Sequence, residues 1–571
     1  MMIDARGIDP GTEIGADLCI VGAGAAGITL ARSLARENIR ICLLESGGDA
    51  YDKETNSLYR AQNLGHPYWR LDECQFRAFG GNTNCWGGWC RPFDEIDFRD
   101  RAWVQYSGWP FPCSELLPYY RPAHEICQIP SDSYRAAETV AELSDERAQL
   151  LPVDPEKLES TIFRFSPPTR FRHVYFDDVR RSGSITCLLH ANAINIEASH
   201  DGGAVSWIDA GCRDGNRFRV RAAVYVLAAG GTENPRLLLN SRNQMACGLG
   251  NAEDLVGRFF MEHPHTKRRI IAPSRPVPVA LYGLHYHGRG VSARLSLTPA
   301  IQEREGLLNY SANIHPVYRG CGGEGWLALR KIVLAVSPSR RGDPFLRMPP
   351  YGPKRVTFGD VLQIVRTLPQ TTIGGFLQLY RPNFLIKGYL LESKSEQSPN
   401  PDSRILLQQD RDPFGLQRIA LDWRTQPLDR HTVIRGEEII EEELRRLNIG
   451  TLEPLTAEEK IGWPGSGLEG GWHQLGTTRM SDDPRRGVVD RHGRVHGVAN
   501  LYMTGGSVFP TVGAGPPTLT IVALALRLAD RLRRAPALSA VRASGPGDPF
   551  LDFLQGASRL PLTAARSMSR A

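Results

Sequence analysis

The stretch from Ala16 to Glu45 constrains this chain more than any other. Leu18 to Val21 is a short apolar run of strand type, and Gly22, Gly24 and Gly27 follow it as GxGxxG. Ile28 to Ala35 has helical character, and Ile41 to Leu44 reads as a second buried strand. The order strand, glycine turn, helix, strand is that of a dinucleotide-binding unit, and each glycine has its own task. Gly22 permits the tight turn, Gly24 lets a pyrophosphate approach the backbone, and Gly27 lets helix and strand pack closely. The helix start then offers free N–H groups and a positive dipole end to the phosphates. Glu45, at the end of the second strand, is placed to accept from both hydroxyls of an adenosine ribose. That disfavours a 2′-phosphate, so NADP is not expected. The motif does not by itself separate FAD from NAD.

At 571 residues the chain is too long for one ordinary core, and two or more domains are expected. A hydrophobic content of 41% and a charged content of 23% suit a soluble enzyme. The formal charge of +6, from 68 basic and 62 acidic residues, is small for this length, so no nucleic-acid partner is expected. The N-terminus has no apolar signal core, and no run approaches the roughly 20 apolar residues of a membrane helix. No integral membrane segment is therefore expected. The 11 cysteines follow no framework spacing, and free thiols in a reducing cytoplasm are the simplest account. Cys85 and Cys90 lack the partner pairs of a zinc site and read as ordinary thiols.

Further along, the loop from Arg77 to Pro92 is dense in glycine and small polar residues, and its backbone N–H groups suit a cofactor or anion. Asp94 to Arg121 is punctuated by prolines, so only short helices are expected there. Val224 to Leu227 is a buried strand, Gly230 and Gly231 form a turn, and Pro235 to Asn240 starts a helix. This second strand–glycine–helix unit suggests a return to the first sheet. From Ala272 to Arg430 strand-like pieces such as Val291 to Leu297 and Gly375 to Tyr380 alternate. A helical stretch, Trp326 to Val336, and an Arg/Pro-rich loop, Ser337 to Arg355, interrupt them. Leu428 to Leu447 reads as an amphipathic helix with a Glu-rich solvent face. Thr518 to Asp530 is a mostly apolar, hence buried, helix that Pro517 opens. The tail beyond Arg534 is Ala/Ser/Gly/Pro-rich, with an apolar patch at Phe550 to Leu554.

Taken together, six segments resemble the glucose–methanol–choline (GMC) family of flavin oxidoreductases, from about Asp17 to Asp530. They are the Gly22-Gly24-Gly27 turn with Glu45, the Gly80-to-Gly88 loop, Ala228 to Leu239, Val256 to Pro264, Trp472 to Met480, and Val508 to Ile521. The resemblance implies an α/β fold. A Rossmann-like FAD-binding domain of the GMC/pHBH type would carry an inserted α+β substrate domain on a mixed antiparallel sheet. Residues 14–130 and 185–271 would form the FAD-binding domain, joined by a connecting segment, 131–184. Residues 272–464 would form the substrate domain, 465–534 the flavin and active-site segment, and 535–571 a flexible tail. The cofactor implied is FAD, contacted by Gly22, Gly24, Gly27, Glu45, Gly81, Asn84, Trp86, Gly87, Ala229, Gly506, Pro517 and Thr518.

Oxidising an alcohol by hydride transfer leaves negative charge on the acceptor, which a helix N-terminus such as that at Pro517 and Thr518 stabilises. The O–H proton needs a base, and His473 matches the family's catalytic histidine. Two departures stand out. Pro516 occupies the place where the family carries a second His or Asn, and Gly505 replaces an acidic residue. His263 and His265, in Glu-His-Pro-His, have no further ligands at metal spacing, so no metal is expected and both read as structural. The implied reaction oxidises a CH–OH group on a small-molecule alcohol, of sugar, polyol or aminoglycoside type, with oxygen or another electron acceptor. A steroid or terpenoid alcohol oxidase, or a flavin-binding relative whose alcohol oxidation Pro516 has altered or abolished, are the alternatives.

Overall fold

A computed structural model describes residues 1–167, 169–271, 279–283, 290–318, 324–336, 356–373, 386–465, 467–536 and 538. The expected strand Gly375 to Tyr380, the loop Ser337 to Arg355 and the patch Phe550 to Leu554 lie outside the described residues.

Two sheets organise the chain. The first runs Met2–Asp4, Ile185–Leu189, Ile41–Leu44, Leu18–Val21, Val224–Leu227, Leu501–Met503, and every pairing in it is parallel. All four residues of Leu18–Val21, Ile41–Leu44 and Val224–Leu227 are buried, as a sheet covered on both faces requires. The helix Ala25–Leu34 follows the glycine turn and packs against the C-terminal helix Thr518–Arg533. Gly27 makes its approach possible, since a Cβ there would collide with the carbonyl of Gly22. Val224–Leu227 does return to the first sheet, directly beside Leu18–Val21.

The second sheet is antiparallel throughout: His265–Ile271, Ile386–Ser395, Tyr310–Tyr318, Val291–Leu297, Leu158–Phe165, Trp89–Cys90. The helix Pro427–Arg446 lies on it, contacting Ile386–Ser395 and Tyr310–Tyr318.

Three local expectations change. Cys113–Ile126 is one helix with Pro118 and Pro122 inside it, where only short helices were expected. Tertiary contacts outweigh the cost of a helical proline, about 3 kcal/mol. Leu116, Tyr120 and Ala123 are buried, and the Tyr120 hydroxyl meets Thr520 Oγ1 at 3.0 Å and accepts from Phe93 N at 3.1 Å. The helix after Val224–Leu227 begins at Gly230 rather than Pro235, because Asn234 Oδ1 accepts from Ala229 N (2.9 Å) and stabilises its first turn. The glutamates of Pro427–Arg446 do not all face water. Glu437 and Glu443 are buried, and Glu437 accepts from Ser393 Oγ (3.2 Å) on the sheet. No described helix is long and apolar enough to cross a membrane.

Candidate functional site

One cavity joins the glycine turn of the first sheet to His473 beside the second. Gly22, Gly24, Glu45, Gly81, Trp86, Gly87, Ala229, Gly506, Pro517, Thr518 and His473 all line it. Gly27 lies behind the turn, and Asn84 does not line the cavity: its amide donates to Phe79 O (2.9 Å) and braces the glycine loop. A Cβ on Gly24 would meet nothing within 4 Å, so the helix Ala25–Leu34 starts onto open space. The buried Glu45 accepts from Ala23 N (3.0 Å) and Gly47 N (2.8 Å), and burial raises its pKa above the ordinary carboxylate value. Trp86 is held by its indole N–H donating to Thr169 O at 2.9 Å.

At the other end, Glu262 is the hub. Its Oε1 accepts from the Tyr68 hydroxyl and from His473 N (2.7 Å), and its Oε2 accepts from His263 N (3.0 Å) and Gly471 N (2.9 Å). Backbone bonds between Met261 and Leu475, 3.0 and 3.1 Å, close the same junction. Trp472 sits between the two donors Gly471 and His473 at φ 65°, a costly conformation for a bulky residue. The two bonds to Glu262 bracket it and hold it there.

The histidines read as a relay of tautomers. His263 Nε2 faces Val512 O at 3.3 Å, an acceptor, so Nε2 carries the proton. Its Nδ1 is then an acceptor and takes the Nδ1–H of His473 at 2.8 Å. His473 Nε2 is left with a lone pair and, among the described residues, no hydrogen bond within the protein. Burial, with His263, Lys394 and Arg294 adding to it, holds His473 well below the usual histidine pKa. Burial also takes His263 down to about 4. Both rings are therefore neutral at neutral pH. Glu262, His263 and His473 offer atoms within 4.8 Å of one another, the spacing of a metal site. Yet both oxygens of Glu262 already take two donors each, and the two Nδ1 atoms are bonded to each other. The set is a hydrogen-bond network.

The cavity wall on the second sheet is polar. His265 and Glu392 line it, with Lys394 directly opposite His265 in register. Glu392 Oε2 meets His315 Nε2 at 3.1 Å, and Lys394 Nζ lies 3.6 Å from Oε1. Despite burial, those two partners hold Glu392 below the ordinary carboxylate range. Burial and the neighbouring Arg294 push Lys394 down to about 7. A Cβ on Gly471 would lie 3.1 Å from His473 Nδ1 and 3.2 Å from His265 Nε2, so the two rings flank one glycine. Pro516 does not line the cavity. Gly505 has φ 106° and ψ −168°, a conformation open essentially to glycine alone, so the loop is built differently from one carrying an acidic residue.

A parallel-sheet dinucleotide cradle sharing a cavity with a half-buried neutral histidine fits an oxidoreductase site. The family model described as GMC oxidoreductase matches residues 399–525, and the one described as an NAD(P)-binding Rossmann-like domain matches residues 20–78. The chain is 24% identical to 6'''-hydroxyparomomycin C oxidase of Streptomyces lividus, over 91% of this chain and 92% of that one. It is 25% identical to paromamine 6'-oxidase of Streptomyces fradiae, over 90% of each. Pyridoxine 4-oxidase from Mesorbium loti shares the fold, with a TM-score of 0.54 at 17% identity over 91% of this chain and 99% of that one. These matches together support a GMC oxidoreductase, an enzyme of the class that acts on alcohol groups. The family implies a flavin, and the glycine cradle, the open space at Gly24 and the buried Glu45 fit its dinucleotide part.

Replacing Glu262 by Gln tests the hub. An amide presents one acceptor fewer and two hydrogens to a ring of donors, so urea unfolding at neutral pH should show a loss of about 2 kcal/mol or more. Unchanged stability would mean that Glu262 does not organise the junction.

Proposed function

We propose that the protein oxidises a CH–OH group of a polyhydroxylated small molecule to a carbonyl, with FAD as cofactor and His473 as base. The observation that carries this is a neutral imidazole with an unengaged Nε2 in the same cavity as the dinucleotide cradle. The turn Gly22, Gly24 and the start of Ala25–Leu34 would hold the pyrophosphate, and Glu45 the ribose hydroxyls. Gly81, Trp86, Gly87, Ala229 and Gly506 would line the rest of the cofactor's path. Bound there, FAD supplies the two-electron acceptor for the carbinol hydride, and Pro517 and Thr518 direct a helix start toward the negative charge that results. His473 Nε2 takes the hydroxyl proton. His263 fixes the tautomer that makes this possible and shares the imidazolium charge through its Nδ1. Oxygen or another acceptor then removes the electrons.

The wall of His265, Lys267 and Glu392 supports a hydroxyl-rich substrate and disfavours the steroid or terpenoid alternative. Two relatives are named for aminoglycoside-type substrates, which agrees with this class. The reading of lost activity rests on Pro516 alone, and His265 answers it. Its ring lines the cavity next to His473 and has no hydrogen bond among the described residues. It can therefore supply the substrate-oxygen contact that Pro516 lacks.

Anaerobic mixing with sugars, polyols, aminoglycosides and sterols should bleach the yellow colour with a polyhydroxylated class and leave it unchanged with sterols. His473→Ala should slow that bleaching by about 10²–10⁴-fold, the usual contribution of a general base, while the protein stays yellow. Because the His473 pKa is depressed, loss of kcat/KM through protonation of His473 should come only below pH 6.5, as an acid limb that His473→Ala lacks. A limb at or above 6.5 that His473→Ala alone removes would contradict the assignment. His265→Ala should raise KM and lower kcat. No change in His265→Ala would remove His265 from the site.

A further inference from the structure

Two indoles stand beside the base. Trp69 and Trp472 both line the cavity that holds His473, and both are half-buried. Their ring centroids are 6.0 Å apart and their planes cross at 83°, so they form two walls of a corner rather than a stack. Each is placed by Glu262. Tyr68, the residue before Trp69, donates its hydroxyl to Glu262 Oε1 and accepts from Gln474 Nε2 at 3.0 Å. Its ring packs edge to face with Phe260 and Trp423. Trp472 lies between Gly471 and His473, whose N–H groups donate to the same carboxylate at 2.9 and 2.7 Å. The carboxylate that positions the base therefore positions the corner too. A φ of 65° would suit glycine, and two glycines precede it, yet the strained position carries a tryptophan. Backbone strain of this kind gathers at active sites and ligand clamps.

The rest of the lining tells what the corner receives. His265, Lys267, Glu392 and Glu469 line the same cavity. Glu469, three residues before Trp472, pairs with His265 through backbone bonds of 2.9 and 3.0 Å, and its carboxylate lies 3.7 Å from Lys267 Nζ. Flat apolar walls bordered by donors and acceptors match one kind of polyhydroxylated molecule. A six-membered ring with equatorial hydroxyls sends its polar groups outward around the edge and its axial C–H bonds to the two faces. A face packs on an indole while the edge makes hydrogen bonds. An open-chain polyol offers such a face only when several of its torsions are frozen, at an entropic cost for each. A sterol or terpenoid would bury the charged groups without partners.

We infer that Trp69 and Trp472 seat the substrate by its ring, and that the substrate is a six-membered polyhydroxylated ring, a pyranose or a cyclitol. This rests on the alcohol-oxidation reading above and narrows its substrate class. One C–H face of the ring lies on the corner, the edge hydroxyls or amines reach His265, Lys267, Glu392 and Glu469, and one carbinol meets His473 Nε2. Both tryptophans act on binding and selectivity, and His473 remains the base.

The test is anaerobic bleaching of the full-length, yellow protein by rings (methyl pyranosides, myo-inositol, aminocyclitols), by open chains (sorbitol, mannitol) and by sterols. Trp69→Ala, Trp69→Phe and Trp472→Gly are run beside the wild type. The best ring should bleach the flavin at a concentration roughly tenfold or more below the best open chain. Trp69→Ala and Trp472→Gly should each raise the ring concentration required by about tenfold and leave that of the open chains unchanged, and Trp69→Phe should recover most of the loss. Glycine accepts φ 65°, so Trp472→Gly removes the indole without straining the junction. Three results would each overturn the inference and leave alcohol oxidation standing: open chains as effective as rings, a preference for sterols, or variants that weaken rings and open chains alike, as a merely structural role would. No bleaching by any alcohol would remove the alcohol-oxidation reading and this inference with it.

Discussion

A single buried carboxylate holds the two halves of the site together. Glu262 takes hydrogen bonds from the backbone of His263 beside it and of His473, 211 residues further along the chain. Its bonds to the N–H groups of Gly471 and His473 hold Trp472 between them in a conformation that its side chain disfavours. Burial pushes the Glu262 pKa up to about 7, yet four donors point at its two oxygens. The same contacts that stabilise the carboxylate set the spacing of the two imidazoles. Leaving buried donors unmet costs about 1–3 kcal/mol each, so the junction is among the least replaceable in the molecule.

From that junction the chemistry follows by elimination of protons. Val512 O requires a hydrogen on His263 Nε2, which makes His263 Nδ1 an acceptor and sends the His473 proton to its own Nδ1. The nitrogen facing the cavity is the one left bare. Burial keeps it so at neutral pH, and the neighbouring cations Lys394 and Arg294 deepen the effect. The site is thus prepared to receive a proton before any substrate enters, in a cavity whose other end is shaped by missing side chains at Gly22 and Gly24.

The dinucleotide cradle was legible from the residues because its signal is local. Three glycines, a strand and a helix lie within 30 residues, and the close packing at Gly27 is against Gly22 of the same turn. The histidine pair was not legible. Glu-His-Pro-His lacks metal spacing and so reads as structural, and nothing local connects His263 to a residue 210 positions away. The helix Cys113–Ile126 was missed because Pro118 and Pro122 argue against it locally, while the Tyr120–Thr520 contact that favours it is long-range. Asn84 was placed at the cofactor because its loop is; its amide turns inward to Phe79 instead.

The most direct test of this account is nitrogen NMR on the protein labelled with ¹⁵N-histidine, at neutral pH. The tautomer relay predicts that His473 shows an unprotonated Nε2 and a protonated Nδ1, with a scalar coupling across the hydrogen bond to the unprotonated Nδ1 of His263. A His473 ring protonated on both nitrogens, or bare at Nδ1, would contradict it, since neither form leaves a base facing the cavity.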